Sequence, residues 1–110
     1  MKRSEFEESK TFNLSDVLNY ERNNIIINNI VTNKGCAIQA LSFDFGKTLS
    51  YHKSSSQRFI YIIEGKAEVV INNNSTFMQK GDSILIPAHT DSSVEANHQF
   101  KMICITMNNS

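Results

Sequence analysis

Short runs of β-branched and aromatic residues, parted by turns marked with asparagine and glycine, constrain this chain more than any other feature. Ile25 to Val31, Cys36 to Phe45, Phe59 to Glu64, Ala67 to Ile71, Thr76 to Gln79, Ser83 to Ile86, Ser92 to Ala96 and Phe100 to Met107 read as strands. In the second run Ala37, Gln39, Leu41, Phe43 and Phe45 face away from Cys36, Ile38, Ala40, Ser42 and Asp44. A period of two gives each strand two distinct faces. One segment, Leu14 to Glu21, predicts a helix of at most two turns with Ser15-Asp16 as its cap. Strands at this spacing in one domain predict an all-β sandwich or barrel.

The turns are built largely from asparagine, with glycine confined to Gly35, Gly46, Gly65 and Gly81. Asn tolerates left-handed backbone, so Asn23-Asn24, Asn28-Asn29, Asn72-Asn73-Asn74 and Asn108-Asn109 mark turns or ends. Ala67 to Ile71 and Thr76 to Gln79, joined through Asn72 to Ser75, form a clear hairpin. Lys80-Gly81-Asp82 is a second reversal. Pro87, the one proline, ends the pairing of Ser83 to Ile86 because it lacks an N–H.

Composition narrows the function classes. The 110 residues suit one domain, residues 1–110, with 1–11 expected as a flexible N-terminal extension. Eleven Lys+Arg balance eleven Asp+Glu, which removes the electrostatic footprint of a nucleic-acid binder. The longest apolar run, Phe59 to Ile63, is far short of the ~20 residues that span a bilayer. The start, MKRSEFEESK, has no apolar stretch behind its basic residues, so neither a membrane nor a secretory signal is expected. Cys36 and Cys104 read as reduced core thiols of a cytoplasmic protein.

The spacing of the punctuation resembles the cupin family, small single-domain proteins with a double-stranded β-helix, or jelly-roll barrel. Their first motif reads Gly, five residues, His-x-His, three or four residues, Glu, six residues, Gly. Gly46 to His52 fits its opening and Phe59 to Gly65 its close. The second motif reads Gly, five residues, Pro-x-Gly, two residues, His, three residues, Asn, and Gly81 to Pro87 fits its first half. The hairpin after Gly65 and the closing strand Phe100 to Ile105 extend the likeness over about residues 12 to 107.

The resemblance implies a divalent metal held by three His and one Glu, donors that suit Fe, Mn, Ni or Zn. Carried over position by position, the first His is His52, the second falls on Ser54, the Glu on Arg58 and the third His on Ser92. His89 replaces the glycine of Pro-x-Gly, and Ala96 the final Asn. A guanidinium is always charged. Against a unit charge ~5 Å away, at an effective dielectric of ~20, it is repelled by about 3 kcal/mol, and by twice that against a dication. The motifs therefore read as degenerate, and neither a metal nor another cofactor is expected. The other register puts Gln57 at the Glu position, and an unconventional set would draw on Gln57, His89 or His98 beside His52.

His52, Ser54, Arg58 and Ser92 are thus the candidate ligand-binding residues at the barrel mouth, with a positive bias that suits an anionic metabolite. Arg58 either points inward, where its donors need partners, or turns out to water. No catalytic residue is assigned. The alternative reading is a metal-dependent enzyme of dioxygenase or isomerase type; a metal-free catalyst using His52 and Tyr61 ranks last. As a further partner a second copy is expected, because small cupins pair as homodimers and the apolar Ile25 to Val31 would otherwise leave a hydrophobic edge.

Overall fold

The structure is a computed structural model and describes residues 6–108. Residues 1–5 of the expected N-terminal extension lie outside the described residues. Strands β1 (Ile25–Thr32), β2 (Cys36–Phe43), β3 (Thr48–Tyr51), β4 (Gln57–Ile71), β5 (Asn74–Gln79), β6 (Ser83–Ile86), β7 (Ser92–Glu95) and β8 (Phe100–Met107) pair antiparallel throughout. They form one sheet curled into two layers, with β1-β2-β8-β4-β6 on one side and β5-β4-β7-β3 on the other. This is the all-β jelly roll expected.

β4 belongs to both layers, so two expected strands are one. Its first half pairs with β6 and β8, its second with β5 and β7. The crossing sits at a register shift between Ile62 and Glu64, followed by Gly65 at φ +81°. A bulge bends a strand sharply and glycine supplies the left-handed angle. A side chain at Gly65 would lie 2.9 Å from the Phe100 Cβ, so the close approach of β8 also requires glycine. At the hairpin between β4 and β5, Asn72 and Asn73 take φ of 48° and 68°. Two successive left-handed residues are what a tight two-residue hairpin needs.

β3 was not among the expected strands. It is four residues long and pairs with β7 alone. The helix is shorter than expected: one turn, Leu14–Val17, capped by Asn13, whose side chain accepts from the Asp16 N–H at 3.3 Å. Leu18 already has extended backbone. This releases the chain to bury Leu18 completely and to bring the Tyr20 hydroxyl to Glu64 at 2.7 Å.

The core lies between the layers. Leu41, Phe43, Ile60, Ile62 and Met102 from one pack against Ala67, Val69, Met78 and Val94 from the other. Phe43 and Phe100 stack with centroids 4.3 Å apart. Burying a side chain of this size stabilises by roughly 1.5–3 kcal/mol. Cys104 is buried in this core, as expected, while Cys36 is only half-buried, and both are free thiols. Among the described residues no helix is long and apolar enough to cross a membrane.

Candidate functional site

Strand parity decides what the barrel encloses. Arg58 shares a face of β4 with the fully buried Ile60 and Ile62, so it takes the inward of its two routes. It stands opposite Thr106 of β8 and Ile86 of β6. From the other layer Tyr51 packs against the core and pairs with Ser92, which is 8% exposed. Ser92 in turn faces Ile71 of β4. These residues gather at the end of the barrel where β4 both enters and leaves.

The contacts there join the two layers. The Arg58 guanidinium carbon lies 4.3 Å from the centroid of the Tyr51 ring. The Tyr51 hydroxyl donates to Cys104 Sγ at 3.7 Å, and Sγ lies 3.9 Å from Thr106 Oγ1. Burial pushes the Tyr51 phenol far above its ordinary range, with the neighbouring Cys104 thiol adding to the shift. Burial also raises the Cys104 thiol, against the opposing pull of hydrogen bonds from Tyr51 and Thr106 and of the Arg58 charge. Both groups therefore hold their protons at neutral pH.

Two polar atoms of this end have no partner. Arg58 Nε and Ser92 Oγ are buried without a hydrogen bond. A cation over an aromatic face is stabilised by about 0.5–2 kcal/mol. An unmade buried hydrogen bond costs about 1–3 kcal/mol, so the Tyr51 stack at best offsets the loss at Nε.

The other two predicted residues lie outside this cluster. His52 follows the inward Tyr51 and is exposed. Ser54 sits in the loop before β4, where its carbonyl accepts from the His89 N–H at 2.6 Å and its hydroxyl from the Ser56 N–H at 3.2 Å. His52 and Ser92 line a surface cleft of about 340 Å³ with Asn72, Asn73 and Asp91; Arg58 and Ser54 do not line it. Gln57 falls on the opposite face of β4 from Arg58, because adjacent residues alternate. His89 and His98 are exposed, and His98 lines a separate groove beside Lys66 and Phe77. Among the described residues no three His, Cys, Asp or Glu side chains come together as a metal ion would need. Sequence reasoning missed Tyr51 as a member of the cluster. Its signal was the alternation Leu49, Tyr51 just before His52, too short to be read as a strand.

The family model for the cupin domain matches residues 42–106. The chain belongs to the cupin family. Over 60 residues this cupin is 33% identical to an uncharacterized protein of Methanocaldococcus jannaschii, covering 53% of this chain and 48% of that one. The chain thus spans about half the length of the curated relative it matches. Among solved structures, this cupin is similar to a conserved protein of unknown function from Streptococcus pyogenes, with a TM-score of 0.89 and 22% identity, covering 96% of this chain and 92% of the other. It is also similar to a cupin 2 conserved barrel domain protein from Leptotrichia buccalis, with a TM-score of 0.91 and 22% identity, covering 96% of this chain and 50% of that one. At that identity the likeness shows the fold alone.

Proposed function

We propose that this cupin binds a small anionic molecule at its barrel mouth, held by Arg58 and Ser92 with His52 and Ser54 on the rim, and that it does so without a metal. The observation that carries the reading is Arg58 itself: a permanent charge, turned inward, with a buried Nε–H that nothing in the described protein accepts. Such a donor favours a carboxylate or phosphate ligand.

The residues at the family's metal positions do not fit a divalent ion. One is an exposed histidine, one a guanidinium and two are hydroxyls, a set without the carboxylate and paired imidazoles that hold first-row metals. Binding is favoured over catalysis because general acid–base work needs a group able to exchange its proton near the operating pH. The inward phenol and thiol are both held in their neutral forms. The two free thiols suit a reducing compartment such as the cytoplasm.

A thermal-shift and calorimetric screen against organic acids and sugar phosphates tests the reading. At a concentration 100 times Kd a ligand adds about 2.7 kcal/mol of stability, enough to read directly. The wild type is expected to respond and Arg58→Ala to lose the response. A wild type indifferent to every compound removes the proposal. So does a stoichiometric transition ion in protein purified without chelator and absent from His52→Ala.

A further inference from the structure

We infer that the group received at this mouth is a single carboxylate, accepting from Arg58 Nε–H and Ser92 Oγ–H beside Tyr51. This rests on the binding reading above and names its chemistry. Arg58 Nε and Ser92 Oγ are both buried without a partner, and both residues neighbour Tyr51. The guanidinium lies over it at 4.3 Å, and Ser92 is its cross-strand partner. Directly opposed residues of an antiparallel pair hold their Cβ atoms about 4.5–5.5 Å apart, so the hydroxyl starts beside the tyrosine. Two unpartnered donors beside one tyrosine call for a ligand with two acceptor oxygens on one centre, which a carboxylate supplies.

Charge selects the carboxylate over a phosphate. Arg58 is the one cation among the inward residues of this end, which are otherwise Tyr51, Ser92, Cys104, Thr106 and isoleucines. At the rim, the Asp91 carboxylate accepts the Lys53 backbone N–H at 2.9 Å and adds a negative charge there. A phosphate group carries about −1.5 to −2 at neutral pH and would leave charge unbalanced in an apolar wall. A carboxylate carries one charge and leaves none.

The chain has three arginines, Arg3, Arg22 and Arg58, so the side-chain Nε–H signals of the ¹⁵N-labelled full-length protein can be assigned with Arg58→Lys. Sodium acetate is titrated against inorganic phosphate, neutral acetamide and matched sodium chloride. The Arg58 Nε–H signal is expected to shift saturably with acetate and with none of the other three. Ser92→Ala should weaken acetate roughly tenfold, the loss of one hydrogen bond to a charged group. The same variant should unfold at no lower a temperature than wild type, since it removes an unpartnered buried hydroxyl, and that keeps a folding defect apart from a binding defect. Phosphate binding more tightly than acetate, or an unchanged acetate affinity in Ser92→Ala, overturns the assignment. Screen compounds whose stabilising effect is lost in Arg58→Ala, with the Arg58 signal unmoved by acetate, overturn it too and leave the binding reading standing. Indifference to every compound in both experiments removes both.

Discussion

The Tyr51 hydroxyl on β3 donates to the Cys104 thiol on β8 at 3.7 Å, tying together two strands that share no ladder. β3 pairs only with β7, so this side-chain bond is its direct link to the opposite layer. The Arg58 guanidinium over the same ring adds a second tie, from β4. Removing the hydroxyl and removing the ring should therefore have separable costs. Tyr51→Phe keeps the stack and is expected to cost about 0.5–1.5 kcal/mol. Tyr51→Ala should cost about 3–5 kcal/mol, as large aromatic truncations do. Urea unfolding reads both; equal losses would show that the ring carries nothing.

Stability should fall on the alkaline side. Tyr51 and Cys104 both have raised pKa values in the fold, chiefly through burial. Above the unfolded-chain values of about 8.5 for a thiol and about 10 for a phenol, the unfolded chain loses protons that the folded chain keeps. Unfolding is then increasingly favoured as pH rises. The double variant Tyr51→Phe, Cys104→Ala should flatten that alkaline slope in urea titrations. On the acid side the sign reverses. The Asp44 carboxyl is held low, first by the Asn23 N–H and then by Gln99 and the Phe45 N–H, so its contribution disappears as pH falls below the ordinary carboxylate range.

Gly65→Ala should be among the more damaging single-methyl changes. It places a Cβ on a residue at φ +81° and drives it against Phe100, a combination expected to cost about 1–3 kcal/mol. Gly35→Ala is the control, with open space around its new methyl group and no left-handed angle. Thermal unfolding of the pair decides; similar melting temperatures would contradict the account of the crossing strand.

Lys101 fastens the N-terminal arm. It is 6% exposed, donates to the Ser15 carbonyl at 2.7 Å, lies 3.6 Å from Glu64 and sits 5.0 Å from the Tyr20 ring centroid. Lys101→Met fills the same space without a charge and should cost about 1–3 kcal/mol. Limited proteolysis should then cut between residues 6 and 24 faster, ahead of any cut in the strands. Unchanged cleavage would mean that Leu18 and the Tyr20–Glu64 bond hold the arm without Lys101.

The oligomeric state is the remaining expectation. Ile27 and Val31 stand exposed on β1, and Tyr61 and Leu85 on the outer face of β4 and β6. Apolar surface of this kind favours a symmetric pair. Light scattering is expected to return about twice the chain mass of 12.5 kDa, and Leu85→Glu to shift it downward. A wild-type mass near 12.5 kDa would contradict the pairing.

Most of the strand pattern was legible because a half-buried strand must alternate, and alternation is a local property that tertiary packing does not disturb. β3 escaped because four residues carry too short a pattern. The helix was read too long because its apolar residues suit either a second turn or an extended arm, and only the docking of Leu18 and Tyr20 chooses.

The candidate site divides the same way. From the amino-acid order alone, the resemblance to the cupin motifs sets Arg58, or Gln57 in the other register, where a carboxylate is expected, and Ser54 and Ser92 where imidazoles are expected, since glycine spacing is written along the chain. Which of these side chains share a space was decided by the fold. Parity along β4 turned Arg58 inward, the end of β3 left His52 outside, and the curl of the sheet brought Tyr51 across to Cys104. Those relationships join strands far apart in the chain, and only the pairing of two layers brings them within reach of one another.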